Sequence, residues 1–380
     1  MRRGYLPARA RFLRLGAFVE ETFEKLKLAV NGGSRVVSLS GLTSIAAKAH
    51  VLTRLRAETG RRFAVVADSN QDIDTWTADL DFFLSTTEGQ RPKTVAFPSF
   101  ETNPYSSISP HAETQERRAL ALWQIAKGGG DIVVMSARSL IQRTVAVDEI
   151  AGFGCEMVRD SDFPPEDVVS RLVAGGYVRE DPVFGPGQFS IRGGIIDVWS
   201  PDANTPVRVE FFGDTVYSIR SFDADTQLSV EQLESVAIAP MREFAAGAQD
   251  LKDWAFFAGE RFGDPKFART LRDRTDFAAE GETFSGWEFL MPMVKPLTAS
   301  IFDYLGDHIF VIDEPATVEH SLTSLYERLA HDHAAITDAG DVGLDVEELF
   351  LEPDSLRTKL DGISRIEARS LGRTAAAILW

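Results

Sequence analysis

Hydrophobic positions in roughly the first 150 residues fall into short runs separated by longer stretches with a helical pattern. Four β-branched runs that end in turn residues predict buried strands, at 35–41, 62–68, 94–100 and 131–137. The stretches between them predict helices, at 43–59, 70–86 and 113–127. Strands that alternate with helices in this way predict a doubly wound α/β domain built on a parallel sheet.

The pattern changes between about residues 158 and 240. A helix is predicted at 164–176, where prolines precede the apolar positions and glycines follow them. Runs rich in Val, Ile and Phe predict strands after it, at 187–201, 206–223 and 233–240. Gly213 and Asp214 stand where a two-residue hairpin turn of type II′ would fit. This part therefore predicts a small α+β unit with an antiparallel sheet.

One further strand and helix are predicted at 308–333, after a helical, aromatic-rich region. A lone strand has no sheet of its own, so we expect it to return to the first sheet. The α/β domain is then discontinuous, with the small α+β unit inserted in it. The predicted division is 1–154 for the first part, 155–243 for the insertion, 244–337 for the returning part, and 338–380 for an acidic linker and the start of a following domain.

Composition and charge narrow the class of protein. A net charge of −17 opposes sequence-independent binding of nucleic acid, which depends on cationic side chains. The one local basic cluster that the sequence offers is five arginines at positions 2, 3, 9, 11 and 14. The single cysteine, Cys155, excludes an intramolecular disulfide and indicates a reducing compartment, so we expect a cytoplasmic protein with a structural thiol. The longest apolar runs fall short of the ~18 residues of a membrane helix.

The stretch VVSLSGLTSIAAKAH, residues 36–50, has the strand, glycine and helix of a phosphate-binding loop. Aligned on Gly41, however, it places Ala46 at the second glycine, Ala47 at the lysine and Lys48 at the hydroxyl residue. One residue along a helix rotates a side chain by about 100°, so Lys48 is expected to point away from the phosphates. The pattern indicates a degenerate nucleotide site.

A matching pair of acidic residues ends the later strand. Asp313 stands where a magnesium ligand would be, and Glu314 where a residue that positions water would be. Acids at the start of a helix are also ordinary capping residues. With the loop degenerate, we interpret Asp313 and Glu314 as part of the same remnant. No residue is assigned a catalytic or metal-binding role.

The stretch 185–229 carries an unusual mixture of side chains. With a period of two, Arg208, Glu210 and Phe212 share one face of a strand, and Arg192 lies on a neighbouring strand. Arginine and aromatic side chains together are typical of interface anchors. A surface charge pair of little energetic weight is the alternative, and the pattern alone leaves both open.

The same stretch resembles a known family. The motifs F-x-x-R-G-G-[IL]-[IL]-D, R-[VI]-E-[FL]-F-G-D and S-[IL]-R-x-F-D-x-x-[TS]-Q follow one another within 189–227. In this order they resemble the second domain of the bacterial transcription-repair coupling factors (Mfd), which is similar to the excision-repair subunit UvrB. Further similarity at 97–125 and 344–350 extends the resemblance to about residues 12–350, the N-terminal UvrB-like part of that family.

The resemblance implies a helicase-like, P-loop-type fold with a degenerate nucleotide site, and recruitment of the damage-recognition subunit UvrA to nucleotide excision repair. It assigns the UvrA contact to Arg192, Arg208, Glu210 and Phe212, with Phe189 and Arg179 as further candidates. It also implies that RNA polymerase, double-stranded DNA, ATP and magnesium are bound by other domains of such proteins. A contact between this part and the family's C-terminal domain is implied as well. No cofactor is expected for this chain.

Two other functions remain open from the sequence. The chain could be a UvrB-like helicase or ATPase whose divergent nucleotide site is still active, in which case Asp313 would be needed for binding ATP and magnesium. Alternatively it could bind DNA directly, which would require affinity that falls steeply with salt.

Overall fold

The computed structural model of the chain describes residues 8–85, 93–370 and 378–379. Side chains before residue 20 lie outside this description, and so does the predicted cluster of N-terminal arginines. No helix in the described ranges is both long enough and apolar enough to cross a membrane.

The α-helices of the described chain are α1 Ala8–Asn31, α2 Ile45–Thr59, α3 Asn70–Ser85, α4 Ala112–Ala126, α5 Ala137–Ile141, α6 Val147–Phe153, α7 Pro165–Ala174, α8 Ala248–Arg261, α9 Ala268–Ala279, α10 Ile301–Tyr304, α11 Pro315–Asp338, α12 Val346–Leu349 and α13 Pro353–Gly362. Short 3-10 helices occupy Pro265–Phe267, Trp287–Phe289 and Met291–Met293.

The strands are β1 Val36–Ser40, β2 Phe63–Ala67, β3 Thr94–Phe97, β4 Ile132–Ser136, β5 Arg143–Thr144, β6 Cys155–Val158, β7 Val178–Arg179, β8 Gln188–Arg192, β9 Ile195–Val198, β10 Val207–Phe212, β11 Thr215–Phe222, β12 Ser229–Leu233, β13 Ser235–Ile238, β14 Ala299–Ser300, β15 Ile309–Asp313, β16 Arg365–Arg369 and β17 Ile378–Leu379.

The first sheet has seven parallel strands in the order β17-β1-β16-β15-β2-β4-β3. Every residue of β2 and β4 is buried, as the continuous β-branched runs at these positions predict. Two separate hydrophobic cores lie on its two faces, one beneath α1, α2 and α3 and the other beneath helices that include α4, α5 and α11. The predicted α/β class, with helices on both faces of a parallel sheet, is confirmed.

The strand near residue 309 returns to this sheet as expected. β15 pairs with β2, so that Val311 lies beside Val65. The end of the chain differs from the prediction, because β16 lies between β1 and β15 rather than in a linker. Residues 338–380 therefore contribute a central strand of the first sheet. Three of the five β16 residues are charged and only Ile366 and Ala368 are buried, so the sequence lacks the apolar run that marked the other strands.

The second sheet has six strands in the order β12-β11-β10-β9-β8-β7, antiparallel except between β7 and β8. Its inner face packs with Val168 and Leu172 of α7 in a third hydrophobic core. Gly213 has a φ of +62°, as a hairpin turn beginning with glycine requires. The antiparallel sheet is thus confirmed, although the predicted strand at 233–240 divides between two places.

The chain enters and leaves this second unit through adjacent strands. β6 and β13 pair with each other in antiparallel fashion, and Cys155 lies beside Ile238. Of the predicted strand at 233–240, Leu233 ends β12 in the six-stranded sheet, and Ser235–Ile238 form this connection as β13. The face of the second sheet that points away from its hydrophobic core is the outer face.

Candidate functional site

The loop that follows β1 retains the shape of a phosphate-binding loop without its chemical groups. Gly41 has a φ of +99°, a conformation that favours glycine. Ser44 caps α2, and its hydroxyl accepts a hydrogen bond from the Ala47 backbone N–H at 3.2 Å. Ala46 and Ala47 are half-buried methyl groups with nothing to offer a phosphate. The helix N-terminus is thus capped from within the chain.

Lys48 does not point away from this site, contrary to the expectation from helix rotation. Its Nζ lies 2.5 Å from Asp313 Oδ1 and 2.9 Å from Glu314 Oε1, and the residue is only 6% exposed. The four-carbon stem of lysine is flexible enough to return from α2 to the end of β15. Burial by itself would lower the pKa of Lys48, but the hydrogen bonds that it donates to Asp313 and Glu314 outweigh burial and raise the pKa above its ordinary value.

The two carboxylates have further partners within the chain. Trp76 Nε1 donates to Asp313 Oδ2 at 3.0 Å. Glu314 lies in the left-handed region with a φ of +50°, and Ser370 donates to it from both its backbone N–H at 2.7 Å and its hydroxyl. Burial opposes ionisation of Glu314, yet hydrogen bonds from Lys48 and Ser370 leave its pKa below the ordinary value.

A magnesium–nucleotide complex does not fit this arrangement. The Lys48 ammonium already lies against both carboxylates that would face a metal ion. No group of three or more His, Cys, Asp or Glu side chains within the described ranges is arranged to hold a metal ion. Lys48, Asp313 and Glu314 lie together as an ion-pair cluster in which one ammonium pairs with two carboxylates. Gly41, Ala46 and Ala47 belong to the loop and the first turn of α2 that precede Lys48.

The second candidate site lies on the outer face of the second sheet. Asp197, in the middle of β9, is 0% exposed and pairs across the sheet with Arg208 of β10. Its Oδ1 accepts from Arg208 Nε at 2.7 Å, and its Oδ2 accepts from Arg208 Nη2 at 2.8 Å and Arg192 Nη2 at 2.5 Å. The hydrogen bond to Asp197 is the main reason why the pKa of Arg208 is raised. One buried carboxylate therefore holds two arginines.

A second ion pair and two exposed aromatic rings adjoin these arginines. Arg220 of β11 donates twice to Glu210, at 3.0 and 3.1 Å. Phe212 is 83% exposed and Tyr217 is 65% exposed. Both rings line an open cleft of about 630 Å³ that also contacts Glu210 and Ile195. We call Arg192, Asp197, Arg208, Glu210, Phe212, Tyr217 and Arg220 the outer-face cluster.

The structure separates two of the predicted contact residues from this cluster. Phe189 is 1% exposed and belongs to the core of the second unit, because strand alternation turns it toward Val198 and away from the outer face. It therefore cannot contact a partner directly. Arg179 is exposed on the edge strand β7, where its register partner is Phe189 rather than Arg192. Arg192, Arg208, Glu210 and Phe212 share the outer face. Alternation predicted this for Arg208, Glu210 and Phe212, and the pairing of β8, β9 and β10 adds Arg192.

Several residues of the two sites were not identified from the sequence. Asp197 interrupts the apolar run of β9, and an acidic residue inside a buried strand is a signal that could have found it. Arg220 lies three strands from Arg192, and only the β10–β11 register brings it to Glu210. Trp76 and Ser370 reach Asp313 and Glu314 from distant elements, and the sequence carries no signal for those contacts.

Comparisons with known proteins agree with the resemblance seen in the motifs. Residues 156–244, which include all of the second sheet, match the UvrB interaction domain family. The chain is 30% identical over 339 residues to a transcription-repair-coupling factor of Myxococcus xanthus, covering 86% of this chain and 28% of the relative. The factor of Haemophilus influenzae is 27% identical over 276 residues, covering 71% and 23%, and that of Bacillus subtilis is 26% identical over 350 residues, covering 88% and 29%.

The chain thus spans between 23% and 29% of the length of these three relatives. The similarity extends over most of this chain and is not limited to the second sheet. The resemblance to the transcription-repair coupling factors is therefore confirmed.

Proposed function

We propose that this chain is a non-catalytic recruitment module of a transcription-repair coupling factor, and that it binds the excision-repair subunit UvrA. In this role it hands DNA damage at a stalled RNA polymerase to nucleotide excision repair. The observation that carries the proposal is the outer-face cluster, which lies inside the segment that matches the UvrB interaction domain. We propose a cytoplasmic site of action, where such a repair complex would meet DNA.

The chemistry of the outer face supports protein binding more than catalysis. Arg192 is half-exposed at one end of the cluster, and Phe212 and Tyr217 are exposed beside Glu210. Arginine and aromatic side chains are enriched among residues that dominate binding energy. The acidic members, Asp197 and Glu210, are turned toward arginines of the same sheet, so the face presents ordered charges and not a titrating acid–base pair.

The runner-up function, an active UvrB-like ATPase, is opposed by the first site. An ATPase needs groups that are free to hold phosphate and magnesium. Here Ser44 caps the helix, and Lys48 is paired with both Asp313 and Glu314. We therefore propose no ATP hydrolysis by this chain and no resident cofactor. RNA polymerase and double-stranded DNA would be bound by other domains of the full-length protein, and one such domain would contact this module.

A pull-down with purified UvrA tests the proposal. The wild-type chain should retain UvrA, and Arg192→Ala or Glu210→Ala should abolish or strongly reduce retention while circular dichroism stays unchanged. Arg117→Ala is a matched control, because Arg117 forms an exposed ion pair with Asp74 beside the first sheet. Retention that is unchanged in both outer-face variants, or absent in the wild type, would reject this function.

A further inference from the structure

The most unusual charge in the second unit is the carboxylate of Asp197. It lies on the outer face of a sheet whose other face is the hydrophobic core, yet it is 0% exposed. Burying a carboxylate is unfavourable unless hydrogen bonds and opposite charges compensate for lost water. The arginines that compensate for it, Arg192 and Arg208, are the two that the proposed function assigns to UvrA.

The two arginines meet Asp197 in different ways. Arg208 is its cross-strand neighbour and uses Nε and Nη2 on separate carboxylate oxygens, which is the two-pronged geometry that fixes a guanidinium plane. The Arg208 guanidinium also lies 4.6 Å above the Phe222 ring. Arg192, at the end of β8, uses only Nη2 on Asp197, has its Nη1 3.8 Å from Asp181 Oδ1, and keeps its side chain 45% exposed. Arg208 is therefore fixed, and Arg192 is oriented with donors left for a partner.

Orienting long side chains before binding has a direct consequence for affinity. An arginine on a surface loses rotamer freedom when a partner immobilises it, and a side chain that is already held loses less. Asp197 is too deeply buried to contact a partner itself. Its effect on binding would therefore be transmitted through the geometry of Arg192 and Arg208.

We propose that Asp197 is a positioning residue that presets Arg192 and Arg208 for the partner that docks on the outer face. The proposal rests on the proposed function, since it concerns the same surface. It goes further by assigning a part of the affinity to a residue that the partner does not touch.

The test is a double-mutant cycle on the affinity of the whole chain for UvrA, measured by isothermal titration. Asp197→Asn keeps the size of the side chain and removes its charge. We expect it to weaken binding about tenfold, because Arg192 and Arg208 would then lose rotamer freedom only when the partner binds. Arg192→Ala should weaken binding at least as much. The double variant should bind about threefold worse than Arg192→Ala alone, and not tenfold worse, because only the ordering of Arg208 is then left to lose.

Asp131→Asn serves as the matched control. Asp131 also pairs with an arginine, Arg56, at 2.6 Å, but it lies next to β4 in the first sheet. It should leave the affinity unchanged. If Asp197 only stabilises the fold, Asp197→Asn lowers the melting temperature, binds UvrA like the wild type, and overturns the proposal. Losses that simply add in the double variant would overturn it as well.

Arg208→Lys tests the same proposal if Asp197→Asn fails to fold. Lysine keeps the positive charge but cannot make the two-pronged contact. We expect Arg208→Lys to weaken binding several-fold, whereas wild-type affinity would refute a role for preset geometry. The outcomes also separate the two proposals: no binding by the wild type, or normal binding by both Arg192→Ala and Glu210→Ala, rejects the proposed function itself. Weak binding by Arg192→Ala with normal binding by Asp197→Asn and Arg208→Lys rejects only the positioning role.

Discussion

Replacing Lys48 by methionine tests whether the ion pairs of the first site stabilise the fold. Methionine fills a similar volume but removes the ammonium that lies between Asp313 and Glu314. The side chain of Asp313 is 11% exposed and keeps its hydrogen bond from Trp76, and Glu314 is 39% exposed. The substitution therefore leaves one largely buried carboxylate and one partly hydrated carboxylate next to each other.

The expected loss of stability follows from the burial of the pair. Removing one partner of a buried ion pair costs roughly 3–5 kcal/mol, because the other charge is left without compensation. The contact with Glu314 adds little, since solvent screens an exposed pair. We therefore expect Lys48→Met to lower the free energy of unfolding by about 3 kcal/mol, close to the lower end of that range. Urea denaturation of the two chains at pH 7 measures the difference.

The pH dependence of this difference has a defined sign. Because the pKa of Glu314 is lowered in the folded chain, its contribution is present above its unfolded pKa of about 4.3 and is lost as the pH falls through the folded value. Because the pKa of Lys48 is raised, its contribution is present below about 10.4 and is lost as the pH rises through the folded value. The gap between wild type and Lys48→Met should be widest from about pH 5 to 10.

A triple variant, Lys48→Met with Asp313→Asn and Glu314→Gln, supplies the control. It removes all three charges, and it should recover most of the stability that Lys48→Met loses. The interpretation is refuted if Lys48→Met unfolds within about 0.5 kcal/mol of the wild type, the range of an ordinary surface substitution.

Three further predictions concern other parts of the molecule. Magnesium and ATP should leave the melting temperature of the wild-type chain unchanged. If the site bound ATP, an ATP concentration of about 1,000 times its Kd would raise the free energy of unfolding by about 4 kcal/mol. A clear upward shift of the melting temperature that Asp313→Asn removes would therefore favour the ATPase. Cys155 should resist iodoacetamide at pH 8 in the folded chain and react in urea, because burial raises the pKa of its thiol to about 11; mass spectrometry showing rapid native alkylation would contradict this. Phe189→Ala should lower the free energy of unfolding by about 3–5 kcal/mol, because Phe189 is buried. Phe212→Ala should lower it by less than about 0.5 kcal/mol but should weaken UvrA binding. A larger loss of stability for Phe212→Ala than for Phe189→Ala in calorimetry, or unchanged UvrA affinity of Phe212→Ala in titration, would contradict this.

The sequence predicted the elements whose local pattern matched their final environment. β2 and β4 are continuous apolar runs because both of their faces are buried, so their pattern needed no knowledge of the rest of the chain. β16 is the opposite case. Its neighbours β1 and β15 are distant in sequence, and pairing with them stabilises a strand in which charged residues alternate with buried ones. Tertiary pairing therefore outweighed a local pattern that resembled a linker.

In the candidate sites, too, the residues whose placement follows from a local pattern were predicted, and those that depend on tertiary contacts were not. Alternation along β10 correctly placed Arg208, Glu210 and Phe212 on one face, because a two-residue period is a property of the backbone. The position of Lys48 was predicted wrongly from backbone rotation, since a long side chain can reach a charged partner from several directions. Asp197 was overlooked because its role depends on the register between β9 and β10, which the sequence does not specify.

Deuterium exchange of the whole chain, alone and with saturating UvrA, tests recruitment through the second sheet without any substitution. We expect slower exchange in peptides that cover 188–198 and 207–222, the strands of the outer-face cluster. Peptides around Lys48 and Asp313 should exchange at the same rate in both states. Protection confined to the first sheet, or no protection at all at saturation, would contradict recruitment through the second sheet.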